Sequence, residues 1–143
     1  MKKLKTVNID GQEFTVHIGN YPNFPMAMYI DLETADEMPW CTITKTFGNF
    51  YREGTFVPMG STFIDTNNIP PGTYQPIIDA LGGEQRVVFG RPYFVQSGYC
   101  EYPIYDFSLE KLREFDLKGT EEYCNTWKKE FVRLQNEMNE NMF

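Results

Sequence analysis

The sequence predicts an α+β fold: an antiparallel sheet of about five to six strands that opens with a hairpin, one short middle helix, and two C-terminal helices packed on the sheet. Three observations carry this prediction. The N-terminal part alternates apolar and polar residues with the two-residue period of half-buried strands. Clusters of Gly, Pro, Asn and Asp punctuate those runs at turn-like intervals. From Ser108 onward, apolar side chains instead recur every three or four positions, the period of a helix face. Strands gathered early and helices gathered late point to α+β rather than to alternating α/β order.

The opening hairpin runs from Leu4 to Ile9 and from Gln12 to Ile18 around Asp10-Gly11, a dipeptide suited to the positive φ angles of a type I′ turn. In the second arm Phe14, Val16 and Ile18 alternate with Glu13, Thr15 and His17, so one face can be buried and the other wetted. A loop with Pro22 and Pro25 leads to a third strand near Ala27 to Thr34. There Met28, Ile30 and Leu32 alternate with Tyr29, Asp31 and Glu33. Ala35 to Pro39 makes a turn, and Trp40 to Phe47, rich in Thr and Ile, reads as a fourth strand. Three glycines and Pro58 predict a long loop over 48–60, with a short strand at Tyr51 to Val57. Ser61 to Ile64 is another short strand, ended by the turn-forming cluster Asp65-Thr66-Asn67-Asn68.

Thr73 to Leu81 reads as a short helix ended by Gly82-Gly83. Pro76 fits only near a helix start, where the amide hydrogen has no intrahelical partner, so the N-cap is Thr73 or Gln75. Arg86 to Phe89 and Tyr93 to Val95 read as edge strands or irregular loop. Tyr99 to Phe107 is extended, and Pro103 favours an edge or a bend. Ser108 can cap a helix whose Leu109, Leu112 and Phe115 share one face. Gly119 is expected to break that helix and Thr120 to start the next, with Glu121 and Glu122 where the helix dipole favours acids. Tyr123, Trp127, Phe131, Leu134 and Met138 then form an apolar stripe. Packing on the sheet explains it; the alternative is a groove-binding or dimerising helix. The chain is expected to be a single domain over 1–143, its last residues, about 137–143, frayed.

Composition excludes several function classes. The net charge of −7 argues against phosphate-backbone binding, which needs concentrated Lys and Arg, so no nucleic acid is expected as a partner. Acidity concentrates mid-chain: residues 26–80 carry seven acids against two bases, notably Asp31, Glu33, Asp36 and Glu37. A solvated strand end explains that group; an acidic surface for a basic partner is the alternative. The N-terminal Lys cluster is followed by no apolar run, so it is not a signal peptide, and no stretch approaches a membrane span. No membrane association, a cytoplasmic location and reduced thiols are the expectations.

No catalytic set is legible. His17 is the one histidine and sits on the polar face of a strand. Cys41, Cys100 and Cys124 have neither metal nor redox spacing, so no metal and no cofactor is expected. Gly82-Gly83 follows a helix, whereas a phosphate cradle precedes one. Two stretches remain as a candidate binding surface. Asp65, Asn67 and Asn68 could offer oxygen ligands to a cation or a polar ligand, or form a self-bonded Asx turn. Ser97, Tyr99, Tyr102 and Tyr105 belong to a ring-rich strand on which Tyr99, Tyr105 and Phe107 share one face if no bulge intervenes. Glu101 and Asp106 among those rings favour core packing over the stacking of bases.

Phe63-Ile64-Asp65-Thr66-Asn67-Asn68, a Pro-containing segment, a helix ending Leu81-Gly82, Ser97-Gly98-Tyr99 and Tyr102 to Phe107 before SLEKL together resemble the family called domain of unknown function 4313. The similarity spans roughly residues 4–130 and is most specific over 63–109. Ile69-Pro70-Pro71-Gly72 departs from the Cys-Pro-Trp-like run of that pattern, and residues 86–95 are a longer insertion. The resemblance implies a small bacterial protein of the kind carried by mobile elements, and it transfers no catalytic residue. The reading that follows leans away from an enzyme. It is a non-enzymatic protein-binding accessory factor of a mobile element or its host, monomeric or weakly homo-oligomeric. The alternatives are a small metal-dependent or hydrolytic enzyme using the 65–68 turn, and a self-associating structural module.

Overall fold

The computed structural model describes residues 3–46 and 57–141. The end of the expected fourth strand at Phe47, and residues 48–56 of the loop and short strand expected over 48–60, lie outside the described residues. The hairpin forms as the Asp10-Gly11 dipeptide requires. β1 (Val7–Ile9) pairs antiparallel with β2 (Gln12–Tyr21), and both turn residues have positive φ, 51° and 84°. β2 pairs in turn with β3 (Phe24–Thr34), and β4 (Pro39–Thr42) completes a first sheet in the order β1-β2-β3-β4.

Two differences from expectation have clear causes here. The third strand starts at Phe24, so Pro25 lies inside it rather than in a loop. The ladder jumps from Asn20 opposite Met28 to Tyr21 opposite Phe24, which leaves residues 25–27 unpaired and spares Pro25 the bond it cannot donate. The Asn20 side-chain amide fills the gap, donating to Pro25 O at 2.7 Å and Tyr123 O at 3.2 Å. The fourth strand is two strands, split at Ile43. This buried residue donates its N–H to Ile30 O at 3.0 Å, and its carbonyl accepts from Asp65 N–H at 2.9 Å. There the chain leaves the first sheet and enters a second as β5 (Thr44–Lys45).

β6 (Ser61–Ile64) lies beside β5, and the turn at 65–68 leads to α1 (Pro71–Ala80). The N-cap is Pro70, not Thr73 or Gln75, and Pro76 sits in the helix interior. Pro76 withholds a hydrogen bond from the Gly72 carbonyl, but Gly72 is exposed and water can serve it instead. After Gly82-Gly83 come four short strands: β7 (Glu84–Gln85), β8 (Val87–Val88), β9 (Arg91–Pro92) and β10 (Phe94–Ser97). β11 (Cys100–Asp106) pairs with β10, β7 and β6, giving a second sheet ordered β10-β11-β6-β5 with β7 alongside β11. Pro103 is therefore in an inner strand. It is tolerated because Ile104 N–H points to Tyr93 O, so position 103 faces β6, just beyond the last β6 pair, Ile104 with Phe63.

α2 (Leu109–Phe115) is capped by Ser108, whose hydroxyl accepts from Lys111 N–H at 3.3 Å. The break that follows falls at Asp116. α3 (Leu117–Asn141) already includes Gly119, and it continues past the fraying expected from residue 137. Asp116 can end one helix and begin another because its carboxylate accepts from Gly119 N–H at 3.0 Å and from Ile18 N–H, on β2, at 2.8 Å. α3 buries Tyr123 and Cys124 in a core with Phe14, Val16, Ile30 and Leu112. Trp127, Phe131 and Leu134 cover a second core around Phe63, Tyr102 and Ile104, whereas Met138, at 63% exposure, lies beyond it. Among the described residues, no helix is long and apolar enough to cross a membrane.

Gly119 is required where it stands. A Cβ there would collide with the Asp116 carboxylate and lie 2.5 Å from Ile18 O. Gly119→Ala is expected to destabilise the chain by about 1–3 kcal/mol, as overpacking at a tight contact does, despite the better helix propensity of Ala. Urea denaturation of both proteins measures this; an equal or higher midpoint for the variant would show the contact to be loose.

Candidate functional site

The 65–68 turn and the Tyr-rich strand meet at one point. Asn67 Nδ2 donates to Glu101 O of β11 at 2.9 Å. Asp65 spends one carboxylate oxygen on its own turn, accepting from Asn68 Nδ2 at 2.9 Å, while its carbonyl accepts from Ile69 N–H at 3.0 Å. The rings diverge. Tyr102 is buried in the second core beneath Lys45 Nζ, which lies 5.1 Å from the ring centroid. Tyr105, three residues along an extended strand, faces the other way and packs toward the first core, 6.4 Å from the Phe107 ring. Its phenol is pushed up by burial first, then by Tyr74 and Asp79. Ser97 pairs with Cys100 to close a hairpin, and Tyr99 sits fully exposed in the turn between them, not in the strand. Tyr99, Tyr105 and Phe107 therefore do not form one face.

β11 ends in a polar network that no local sequence pattern announces. The Arg86 guanidinium donates to Asp106 at 3.2 and 2.5 Å and to Ser61 Oγ at 2.7 Å, and Ser61 also donates to Asp106. Burial alone would raise the Asp106 carboxyl, but the Arg86 and Ser61 hydrogen bonds and the Arg86 charge outweigh it, holding the pKa below the ordinary aspartate value.

A concave site lies elsewhere, on the first sheet: a groove of about 740 Å³. Strand alternation builds its floor. His17, Asp31 and Thr42 are lateral partners across β2, β3 and β4, with Glu33 one rung away. His17 Nε2 pairs with the Glu33 carboxylate, and Thr42 Oγ1 donates to Asp31 at 2.5 Å. The next rung places Tyr29 opposite Gly19, and its ring occupies the space that a Cβ at Gly19 would take. Trp40 and Cys41 of β4 form one wall. The Trp40 indole lies on the other face of the sheet, stacked on the buried Phe14 with centroids 4.2 Å apart and 44% exposed, so β4 borders the groove without an aromatic face. Lys118, Gly119 and Glu122 of α3 form the other wall, brought there by the Asp116–Ile18 bond.

The groove is electronegative. Asp31, Glu33, Asp116 and Glu122 face Lys118 and His17. Burial first, then Asp31, Asp116 and Glu122, push the Tyr29 phenol up, and burial and Asp31 do the same to the Cys41 thiol. Among the described residues Asp31 and Glu122 have no cationic partner. No group of three His, Cys, Asp or Glu suited to a metal occurs among the described residues. The arrangement suits recognition of a positively charged group beside an aromatic face. The sequence hint is the alternation that puts Tyr29, Asp31 and Glu33 on one face; the contribution of α3 has no sequence signal.

The family model for a domain of unknown function, DUF4313, matches residues 15–127, from within β2 to within α3, and the chain belongs to that family. No curated protein and no solved structure matches the chain.

The Asp106 network makes a pH prediction. With the folded pKa depressed, its stabilisation is complete above the unfolded-state value near ~4 and is lost as pH falls through the folded value. Arg86→Met, which removes the charge while keeping an apolar stem, is expected to flatten the loss of stability below about pH 4. Urea midpoints across pH 2–6 check this; parallel acid limbs in the two proteins would show that Asp106 is not held down by Arg86.

Proposed function

We propose that this chain is a non-enzymatic protein-binding factor whose groove on the first sheet takes a cationic segment of a partner protein. The single observation behind this reading is the juxtaposition of Asp31 and Glu122, both without cationic partners among the described residues, with the half-buried ring of Tyr29 around one concavity. A guanidinium or ammonium entering there gains carboxylates in a partly desolvated setting and a ring face against which its charge is favoured. The acidic middle of the sequence supplies this floor, so its charge has a use beyond solvation. A role as an accessory factor of a bacterial mobile element or its host accords with a small binding protein carrying no visible catalytic set. Two facts weigh against the enzymatic alternative: Asp65 is engaged in its own turn, and Asn67 is engaged with β11.

Titration of the full chain with a short Arg- and Trp-containing peptide, followed by amide chemical shifts, tests the reading. Shifts are expected to cluster at Tyr29, Asp31, Trp40 and Glu122 and to weaken as salt rises from 50 to 300 mM, because exposed ion pairs are screened. The double substitution Asp31→Asn with Glu122→Lys should reduce affinity by about tenfold or more, the equivalent of ~1.4 kcal/mol. Equal binding of a neutral peptide of the same length would overturn it.

A further inference from the structure

A second surface feature is unexplained by the fold: the hairpin of β8 and β9. Residues 84–86 pair with residues 106–104 of β11, and β10 resumes pairing along the same side at Phe94 with Pro103. Residues 87–92 therefore leave the ladder between two stretches of one strand line, joined at the base by Tyr93 N–H to Arg86 O at 2.8 Å. Among the described residues they pair only with one another. A sheet needs no such excursion.

Its composition is unusual for an exposed tip. Val87 is 57% exposed, Val88 39% and Phe89 fully so. Phe89 has φ 53° and Gly90 φ 75°, the two left-handed positions of a type I′ turn. Asn or Asp relieves strain at the first position; a bulky ring gains nothing there and exposes its whole apolar surface to water. A local rule broken without compensation inside the chain points to a contact outside it. Arg91 follows, exposed and without an acidic partner among the described residues. Arginine is among the residues enriched at binding hot spots, and the exposed ring beside it adds apolar area for a partner to bury.

The chain also carries the complementary receptor. The groove offers Tyr29 for a ring and Asp31, Glu33 and Glu122 for a guanidinium. We propose that the β8–β9 hairpin of one copy docks in the acidic groove of a second copy, Phe89 against Tyr29, and Arg91 against Asp31 and Glu122. This rests on the groove's reading as a cation-binding site and names its occupant. The proposed docking is one-way, head-to-tail: hairpin and groove are different surfaces on different sheets, and each dimer keeps one free hairpin and one free groove. A hairpin tip buries less than a standard interface, so the association is weak and concentration-dependent.

Sedimentation of the full chain from micromolar to millimolar concentration tests this, with two variants that leave the cores untouched. Phe89→Asn with Arg91→Glu disables the hairpin, using a residue the turn favours; Asp31→Asn with Glu122→Lys disables the groove. The unsubstituted chain should show a weight-average mass rising beyond that of a dimer, while each variant alone stays monomeric. An equimolar mixture should form dimers and stop there, because each variant keeps one working half. A monomeric unsubstituted chain at millimolar concentration, or a mixture that stays monomeric where that chain associates, overturns the proposal. The hairpin variant, titrated with the cationic peptide, separates the two readings. Peptide binding by this variant together with a monomeric unsubstituted chain sinks only the hairpin docking, and loss of both peptide binding and self-association sinks the groove itself.

Discussion

Asp116 serves three elements at once, through its backbone at the end of α2 and through its carboxylate at α3 and β2. It stops α2, starts α3 by accepting from Gly119 N–H, and accepts from Ile18 N–H on the stretch of β2 that the short β1 leaves uncovered. Hydrogen bonds to a charged acceptor are worth about 1.5–3 kcal/mol, more than neutral ones, and two converge here in a partly buried place. The rest of the arrangement follows from that anchor. It sets where α3 meets the sheet, and so places Tyr123 in the first core, where burial pushes its phenol up and the oxygen accepts from Gly60 N–H at 2.8 Å. It also brings Lys118 and Glu122 to the edge of the groove. Gly119 is the complement: only a residue without a Cβ permits this approach to Ile18 O.

The two sheets are joined by an analogous device on the far edge of β3. β4 covers only part of that strand, and the backbone left open is served by the second sheet. Thr44 Oγ1 accepts from Ile30 N–H at 3.2 Å, and Thr62 Oγ1 donates to Met28 O at 2.6 Å. Tyr21 shares the Thr44 hydroxyl at 2.7 Å, and burial, outweighing that hydrogen bond, pushes its phenol up to about 12. Buried threonines at sheet edges are thus backbone partners, which satisfies groups that burial would otherwise leave costly. Threonines that register in the sequence only as β-formers hold the molecule together at its corner.

Features set by local chemistry are legible in the amino-acid sequence itself. Asp10-Gly11 specifies its turn, the alternation from Phe14 to Ile18 and from Met28 to Leu32 specifies faces, and Ser108 specifies a cap. Features set by distant partners are not. Pro25 and Pro76 reside inside elements because an Asn20 side chain and an exposed Gly72 carbonyl relieve them, and neither relief is visible locally. Gly119 has the sequence signature of a helix breaker and is a close-approach residue. The candidate rings at Tyr99, Tyr102 and Tyr105 scatter because a hairpin turn takes Tyr99 and strand parity separates the other two. The groove needs the register of three strands plus one helix start, information that is wholly non-local.

Asp116 docks α3 on β2 and thereby forms the groove, and amide hydrogen exchange in the full chain, compared with an Asp116→Ala variant, tests this most directly. The Ile18 and Gly119 amides are expected to be protected in the unsubstituted chain. They should exchange at least about tenfold faster in the variant, the factor that ~1.4 kcal/mol of lost hydrogen bonding produces. The amides of Thr15, whose partner across the ladder is Glu33 of β3, and of Leu112, bonded to Ser108 O, should change far less. An Ile18 amide that exchanges freely in the unsubstituted chain, or equally slowly in both, would contradict the account.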